Sequence, residues 1–167
     1  MVHAPPHGHH RRTTRLSDTH LCTGLLIRDG RVLLVASRYP NHAEPLWNLP
    51  GGRQQPAELL TEALRREVRE ETGLQPTVGE LLYVSESYDG DAHFTNFTFH
   101  IDAAGEPKAA PHAGDHIVDL AWVPIADIES RVAVRVVREP LLAFLRRELK
   151  QRYRGYADAG VSIVFPD

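Results

Sequence analysis

Residues 20–28 and 31–37 are two apolar runs rich in β-formers, and Asp29-Gly30 separates them. That pattern predicts two strands joined as a hairpin. Residues 57–71 instead repeat apolar positions at helical spacing, with Gly73 placed to end the helix. Further along, residues 78–87 read as a strand, and residues 93–101 alternate, with Phe97, Phe99 and Ile101 on one side. Residues 116–123 form another expected strand, followed by Pro124 and a helical turn. Pro140 suits the first turn of a last helix carrying Leu141, Leu145 and Leu149 on one stripe. Strands and helices in this order predict a mixed α/β sandwich.

The first helix changes character along its length. At about 100° per residue, with Leu60 at zero, Leu64 lies near +40° and Ala63 near −60°. Glu67 then falls at about −20°, Glu71 at about +20° and Glu70 at about −80°. The stripe that begins apolar therefore becomes acidic, whereas Glu62, Arg65 and Arg69 take the opposite, solvated side. Carboxylates at i, i+3 and i+4 crowd one another, and the helix C-terminus disfavours negative charge. Protonation, arginine or a cation must relieve them, and Arg66 supplies part of that relief. An all-oxygen donor set favours Mg²⁺ or Mn²⁺; the alternative is a structural ion-pair network. Just upstream, Gly51-Gly52 follows Leu46-Trp47-Asn48-Leu49-Pro50, a turn through which backbone could approach a metal or a phosphate.

Composition changes little except by exclusion. The 167 residues suit one domain, expected over residues 17–167, behind a His-, Pro- and Arg-rich tail over residues 1–16 that should be disordered. A net charge of −3 gives no electrostatic footprint for bulk nucleic-acid binding. No apolar run is long enough to span a membrane, and the first residues lack the apolar stretch of a signal peptide. The single cysteine, Cys22, suits a reducing compartment, so a cytoplasmic location is expected. Residues 102–114 are rich in Ala, Pro and Gly and read as a long loop.

Gly52, Glu58, Arg66-Glu67-Val68, Glu70-Glu71 and Gly73-Leu74 reproduce the pattern G-x5-E-x7-R-E-U-x-E-E-x-G-U, with U a bulky aliphatic residue. In this the chain resembles the Nudix hydrolases. The resemblance implies an α/β/α sandwich with a mixed β-sheet between helices. It also implies hydrolysis of a nucleoside diphosphate linked to another moiety, with Mg²⁺ or Mn²⁺ as cofactor. By that resemblance Glu67, Glu70 and Glu71 hold the metal together with the Gly51 carbonyl, and Glu58 and Arg66 orient the cluster. Two positions depart from common family usage: Ala57 stands where many members have glycine, and Gln55 where many have glutamate. The resemblance also admits a homodimer.

The general base varies within the family; here Glu67, Asp115 and Glu106 are candidates, with Asp115 preferred to Glu106. Trp47, Tyr88, Phe94 and Phe97 could stack on a base, although aromatic residues in strands more often build the core. Tyr88 lies near where diadenosine-polyphosphate hydrolases of the family often carry a tyrosine. His93, His112 and His116 could touch phosphates but read better as surface or loop residues. The expected partner is thus a small nucleotide-type substrate: a nucleoside triphosphate, ADP-ribose or a dinucleoside polyphosphate. The other functional class is a Nudix-like module that senses a nucleotide without cleaving it. The intact glutamate set argues against that class, because binding alone needs no water-activating cluster.

Overall fold

The computed structural model describes residues 17–109 and 116–165. The expected tail (residues 1–16), His112 and Asp115 lie outside the described residues. Among the described residues, nine strands divide between two sheets. The first sheet is mixed and joins β1 (Ser17–Leu25), β5 (Gly51–Arg53), β6 (Thr77–Asp89), β7 (Ala92–Asp102) and β9 (Tyr153–Tyr156) in the order β5-β1-β7-β6-β9. In the second, β3 (Arg31–Ser37) pairs antiparallel with β2 (Ile27–Arg28), β4 (Leu46–Asn48) and β8 (Ile117–Pro124). The helices are α1 (Leu60–Thr72), the short α2 (Ile128–Arg131) and α3 (Arg135–Leu145).

Period-two alternation makes β3 serve two cores. Leu33 packs with Ala63, Leu64 and Val68 of α1, whereas Val32 and Leu34 pack with Ile128, Val132, Leu141 and Leu142. Helices on both sides of the sheets complete an α/β sandwich, as the sequence led us to expect.

Three local readings change. The run over residues 20–28 is not one strand: β1 stops at Leu25, and the chain crosses into the second sheet as β2, so adjacent Leu25 and Leu26 bury in different cores. Asp29 and Gly30, with φ of 50° and 72°, form the expected tight turn between β2 and β3.

The first helix begins at Leu60 rather than at 57. Ala57 has a left-handed φ of 63°, Glu58 closes a turn through Gln55, and the Glu62 carboxylate accepts the Leu59 N–H at 2.7 Å. Gly73, at φ 72°, ends the helix as expected.

The last helix starts five residues before Pro140, which therefore sits in its interior and leaves the Val136 carbonyl without the usual N–H donor. The Val-rich start of α3 masks its helical nature in the sequence, because β-branched residues are poor helix formers. Leu149 lies beyond its end, though it still packs against the core. The strand β9, parallel to β6, has no counterpart in the sequence reading; its Tyr-Arg-Gly-Tyr sequence carries no apolar alternation.

Candidate active site

The glycine turn reaches α1 because β5 pairs with β1: Thr23 lies opposite Gly51 and Cys22 opposite Gly52, while the Gly24 N–H donates to the Pro50 carbonyl at 2.9 Å. Both glycines are needed sterically. Gly51 has φ 151°, and a Cβ there would run into the Cys22 carbonyl oxygen. A Cβ on Gly52 would stand 2.5 Å from the Glu67 carboxyl carbon. The missing side chain at Gly52 leaves the space that the Glu67 carboxylate occupies, and the one at Gly51 lets the turn lie against the β1 backbone.

Glu71 is 4% exposed, and its Oε2 accepts the Gly51 N–H at 3.1 Å. Among the described residues no arginine, lysine or histidine pairs with it. Burial, followed by the charge of Glu67, holds the Glu71 carboxyl well above the usual carboxylate range, although the Gly51 N–H opposes this. Glu67 is also raised by burial, with Arg66 working in the other direction.

Arg66 organises the remaining groups. Its Nε and Nη2 donate to the two oxygens of Glu58 at 2.7 and 3.1 Å, a bidentate pair. Its Nη1 donates to Glu67 at 2.9 Å and to Glu70 at 3.4 Å, and Nη2 also reaches the Arg53 carbonyl at 3.0 Å. The Arg66 hydrogen bonds hold Glu58 below the ordinary carboxylate value, and those of Glu58 raise Arg66. Glu70 is half exposed, in keeping with its place at the margin of the helix stripe.

The structure thus brings together Gly51, Gly52, Glu58, Arg66, Glu67 and Glu71, with Glu70 at their edge. Among the described residues no three Asp, Glu, His or Cys side chains converge as a cage around one point. Arg66 bridges three of the carboxylates, so much of the charge relief expected of a cation is supplied here by arginine. The donor set still suits a hard divalent ion: only oxygen ligands, and in Glu71 a buried carboxylate with a single backbone donor and no charged partner.

The other candidates separate. Glu106 is largely exposed and lies 3.5 Å from Arg28, which also donates to the Ala103 and Gly105 carbonyls. The Lys108 N–H donates to the Thr72 carbonyl at 2.8 Å, so the loop returns to the end of α1 one residue beyond Glu71. Phe97 and Trp47 pack against the two cores, and Tyr88 stacks on His93 at 4.5 Å.

Phe94 alone of the four aromatics lines a cleft of about 830 Å³, counting its open mouth, that reaches Gly51 and Gly52. Tyr39, Asn48 and Asn96 also line it, as does a C-terminal segment ending in Phe165, none of which the sequence reading singled out. The alternation of Ala159, Val161, Ile163 and Phe165 was the available signal for that segment.

The family model for the NUDIX domain matches residues 18–145, which include the glycine turn, all of α1 and most of the cleft. The chain belongs to the NUDIX family. An ADP-ribose pyrophosphatase of Methanocaldococcus jannaschii is 39% identical over 105 residues, 60% of this chain and 62% of that protein. A putative 8-oxo-dGTP diphosphatase 2 of Mycobacterium tuberculosis is 30% identical over 63% of this chain and 72% of its own length. The crystal structure of a MutT NUDIX hydrolase from Burkholderia pseudomallei superposes with a TM-score of 0.64 at 28% identity, covering 75% of this chain and 96% of that one. The match thus spans less than two thirds of the Methanocaldococcus protein. NUDIX hydrolases generally use divalent metal ions and act on small nucleotide substrates. Among the described residues no helix is long and apolar enough to cross a membrane.

Proposed function

We propose that this chain hydrolyses a phosphoanhydride bond in a nucleoside diphosphate linked to another moiety, with Mg²⁺ or Mn²⁺ as cofactor. The candidate substrates are a nucleoside triphosphate, ADP-ribose or a dinucleoside polyphosphate. The observation that carries this reading is the buried Glu71 carboxylate, set beside Glu67 against the Gly51-Gly52 turn, which also lines the cleft. A structural ion-pair network has no need of a buried carboxylate lacking a cationic partner, because removing such a charge ordinarily favours folding.

Glu67, Glu70, Glu71 and the Gly51 carbonyl would hold the metal. When bound, the cation neutralises diphosphate charge and makes an attacking water more acidic. The chain's own residues then have separable tasks. Arg66, fixed by its bidentate pair with Glu58, holds Glu67 toward the turn and prevents its rotation into solvent. Glycine at 52 leaves room for the Glu67 carboxylate, and glycine at 51 lets the turn pack on the β1 backbone so that its N–H reaches Glu71. Glu67, raised by burial and close to the cleft, is one candidate acceptor for the proton of the attacking water. Asp115, seven residues after Lys108 in the sequence, is the other.

The test is Glu71→Gln, which preserves shape and a hydrogen-bond acceptor for Gly51 while removing the charge. Assayed with Mg²⁺ and with Mn²⁺ against a panel of nucleoside diphosphate derivatives, the wild type should release phosphate products. The variant should fold and lose at least about a hundredfold in kcat, the scale expected for a lost electrostatic contribution to the transition state. A wild type that binds a nucleotide tightly yet cleaves none of the panel would establish the nucleotide-sensing module instead. Hydrolysis in ¹⁸O-labelled water would then identify the phosphorus attacked.

A further inference from the structure

The chain continues past the part matched by the family model, and its last described stretch lines the cleft. Over residues 161–165 burial alternates: Val161, Ile163 and Phe165 are half-buried and line the cleft, whereas Ser162 and Val164 are exposed. This is the period of an extended strand, which turns one row of apolar side chains inward. The strap is pinned rather than merely adjacent. The Ala159 N–H donates to the Tyr88 carbonyl at 2.8 Å. The Asn41 side chain donates to the Ser162 carbonyl at 2.7 Å and accepts the Val164 N–H at 3.0 Å, and His42 Nε2 lies 2.8 Å from the same carbonyl. A side-chain amide offers one donor and one acceptor side by side, so Asn41 imitates the neighbouring strand that this segment lacks.

The strap ends in an aromatic cluster. Arg53 lies over the Phe165 ring at 4.1 Å, and Tyr39 meets that ring edge-on at 5.9 Å. Phe94 lies 5.9 Å from it, tilted. Strands β1, β6 and β7 contribute Thr23, Ser85, Ser87 and Asn96 to the same cleft. The lining therefore combines an apolar strap with hydroxyl and amide groups from the sheet, and the glycine turn lies at its border. A flat heteroaromatic ring has this combination of needs: apolar faces, a hydrogen-bonding edge, and an attached diphosphate that belongs beside Gly51 and Gly52.

We propose that the strap over residues 159–165 is the specificity wall of the substrate site, with Phe165 supplying, alongside Tyr39 and Phe94, the aromatic contact for a nucleobase. The position of the diphosphate rests on the proposed hydrolase activity, whereas the wall rests on the cleft itself. The family-matched part of the chain then holds the phosphates and one side of the base, and the segment beyond it supplies the other side.

Titration calorimetry with ADP, GDP and inorganic pyrophosphate, in the presence of Mg²⁺, tests the wall on the full chain, Phe165→Ala, Asn41→Ala and a chain ending at Gly160. Phe165→Ala should weaken ADP or GDP about tenfold or more, the scale of one lost base–aromatic stack, and leave pyrophosphate within about twofold. Asn41→Ala, which unpins the strap without removing Phe165, should act in the same direction, and it decides the matter if the shortened chain melts too low to assay. Unchanged or tighter nucleotide binding in these variants overturns the proposal. So does equal weakening of pyrophosphate, or a wild type that binds ADP and GDP no better than pyrophosphate. A wild type that binds ADP through the strap but cleaves no nucleoside diphosphate defeats the hydrolase reading alone. Cleavage with strap-independent affinity defeats the wall alone.

Discussion

Ala57 precedes the first glutamate of the family motif and holds a left-handed φ of 63° on an exposed loop. A Cβ in that region crowds the following carbonyl and costs about 1–2 kcal/mol. Ala57→Gly removes the crowding. Glycine also frees the unfolded chain, which returns about 0.4–1 kcal/mol of the gain. Because Ala57 is exposed, its methyl group gives up little packing. The net expectation is a stabilisation of about 0.5–1 kcal/mol, or about 1–4 °C in melting temperature for a chain of this size.

Urea and thermal unfolding of wild type, Ala57→Gly, Ala57→Val and Gly73→Ala would check this reasoning as a set. Ala57→Val should be less stable than wild type, since a β-branched residue tolerates this conformation worst. Gly73→Ala places its Cβ 3.4 Å from the nearest atom outside its neighbours, the Lys108 carbonyl oxygen, at φ 72°. It should therefore lose about 1 kcal/mol through conformation rather than collision. An Ala57→Gly variant that unfolds at lower urea than wild type, with the same slope, would refute the argument. It would mean that the loop carrying Glu58 is not strained at this position. The Glu58–Arg66 pair is untouched by the change, so kcat/KM should stay within about twofold.

Gly52→Ala should fold, because the atoms its Cβ meets are the far end of the Glu67 side chain; it should depress activity by displacing that carboxylate. Circular dichroism beside a kinetic assay checks this, and full activity in the variant would count against a role for Glu67. His93 lies 2.8 Å from Asp18 and 3.1 Å from Glu86, and these hydrogen bonds, that of Asp18 first, raise its pKa above 6.5. A raised folded value means that the stabilisation is complete below the unfolded value and fades as pH rises through the folded one. His93→Gln should therefore lower the melting temperature more at about pH 5.5 than at about pH 9, and a difference independent of pH would remove the charged pair from the account.

How much of this was legible in the sequence depends on the distance over which each feature is made. The Asp29-Gly30 turn, the Gly73 helix end and the shared face of Glu67 and Glu71 follow from backbone geometry over a few residues, and all three appear in the fold. Where two local signals competed, the sequence misled. The apolar run over residues 20–28 hid a crossing between sheets, and Pro140 drew the start of a helix toward itself although the apolar face began earlier.

The sequence by itself determined that three carboxylates and one arginine would crowd a single helix end, because covalent spacing and helical pitch leave them no other arrangement. Only the tertiary structure decided what became of them. Pairing of β5 with β1 brings the glycine turn onto Glu71 and buries it, a turn from outside the helix carries Glu58 to Arg66, and Glu70 is left at the rim. The cleft is more distant still from sequence pattern: its strap is held by Asn41 hydrogen-bonding across 121 residues to Ser162. Pitch and spacing act along the chain, whereas burial and partner choice depend on which distant surfaces packing brings into contact, and nothing local encodes that.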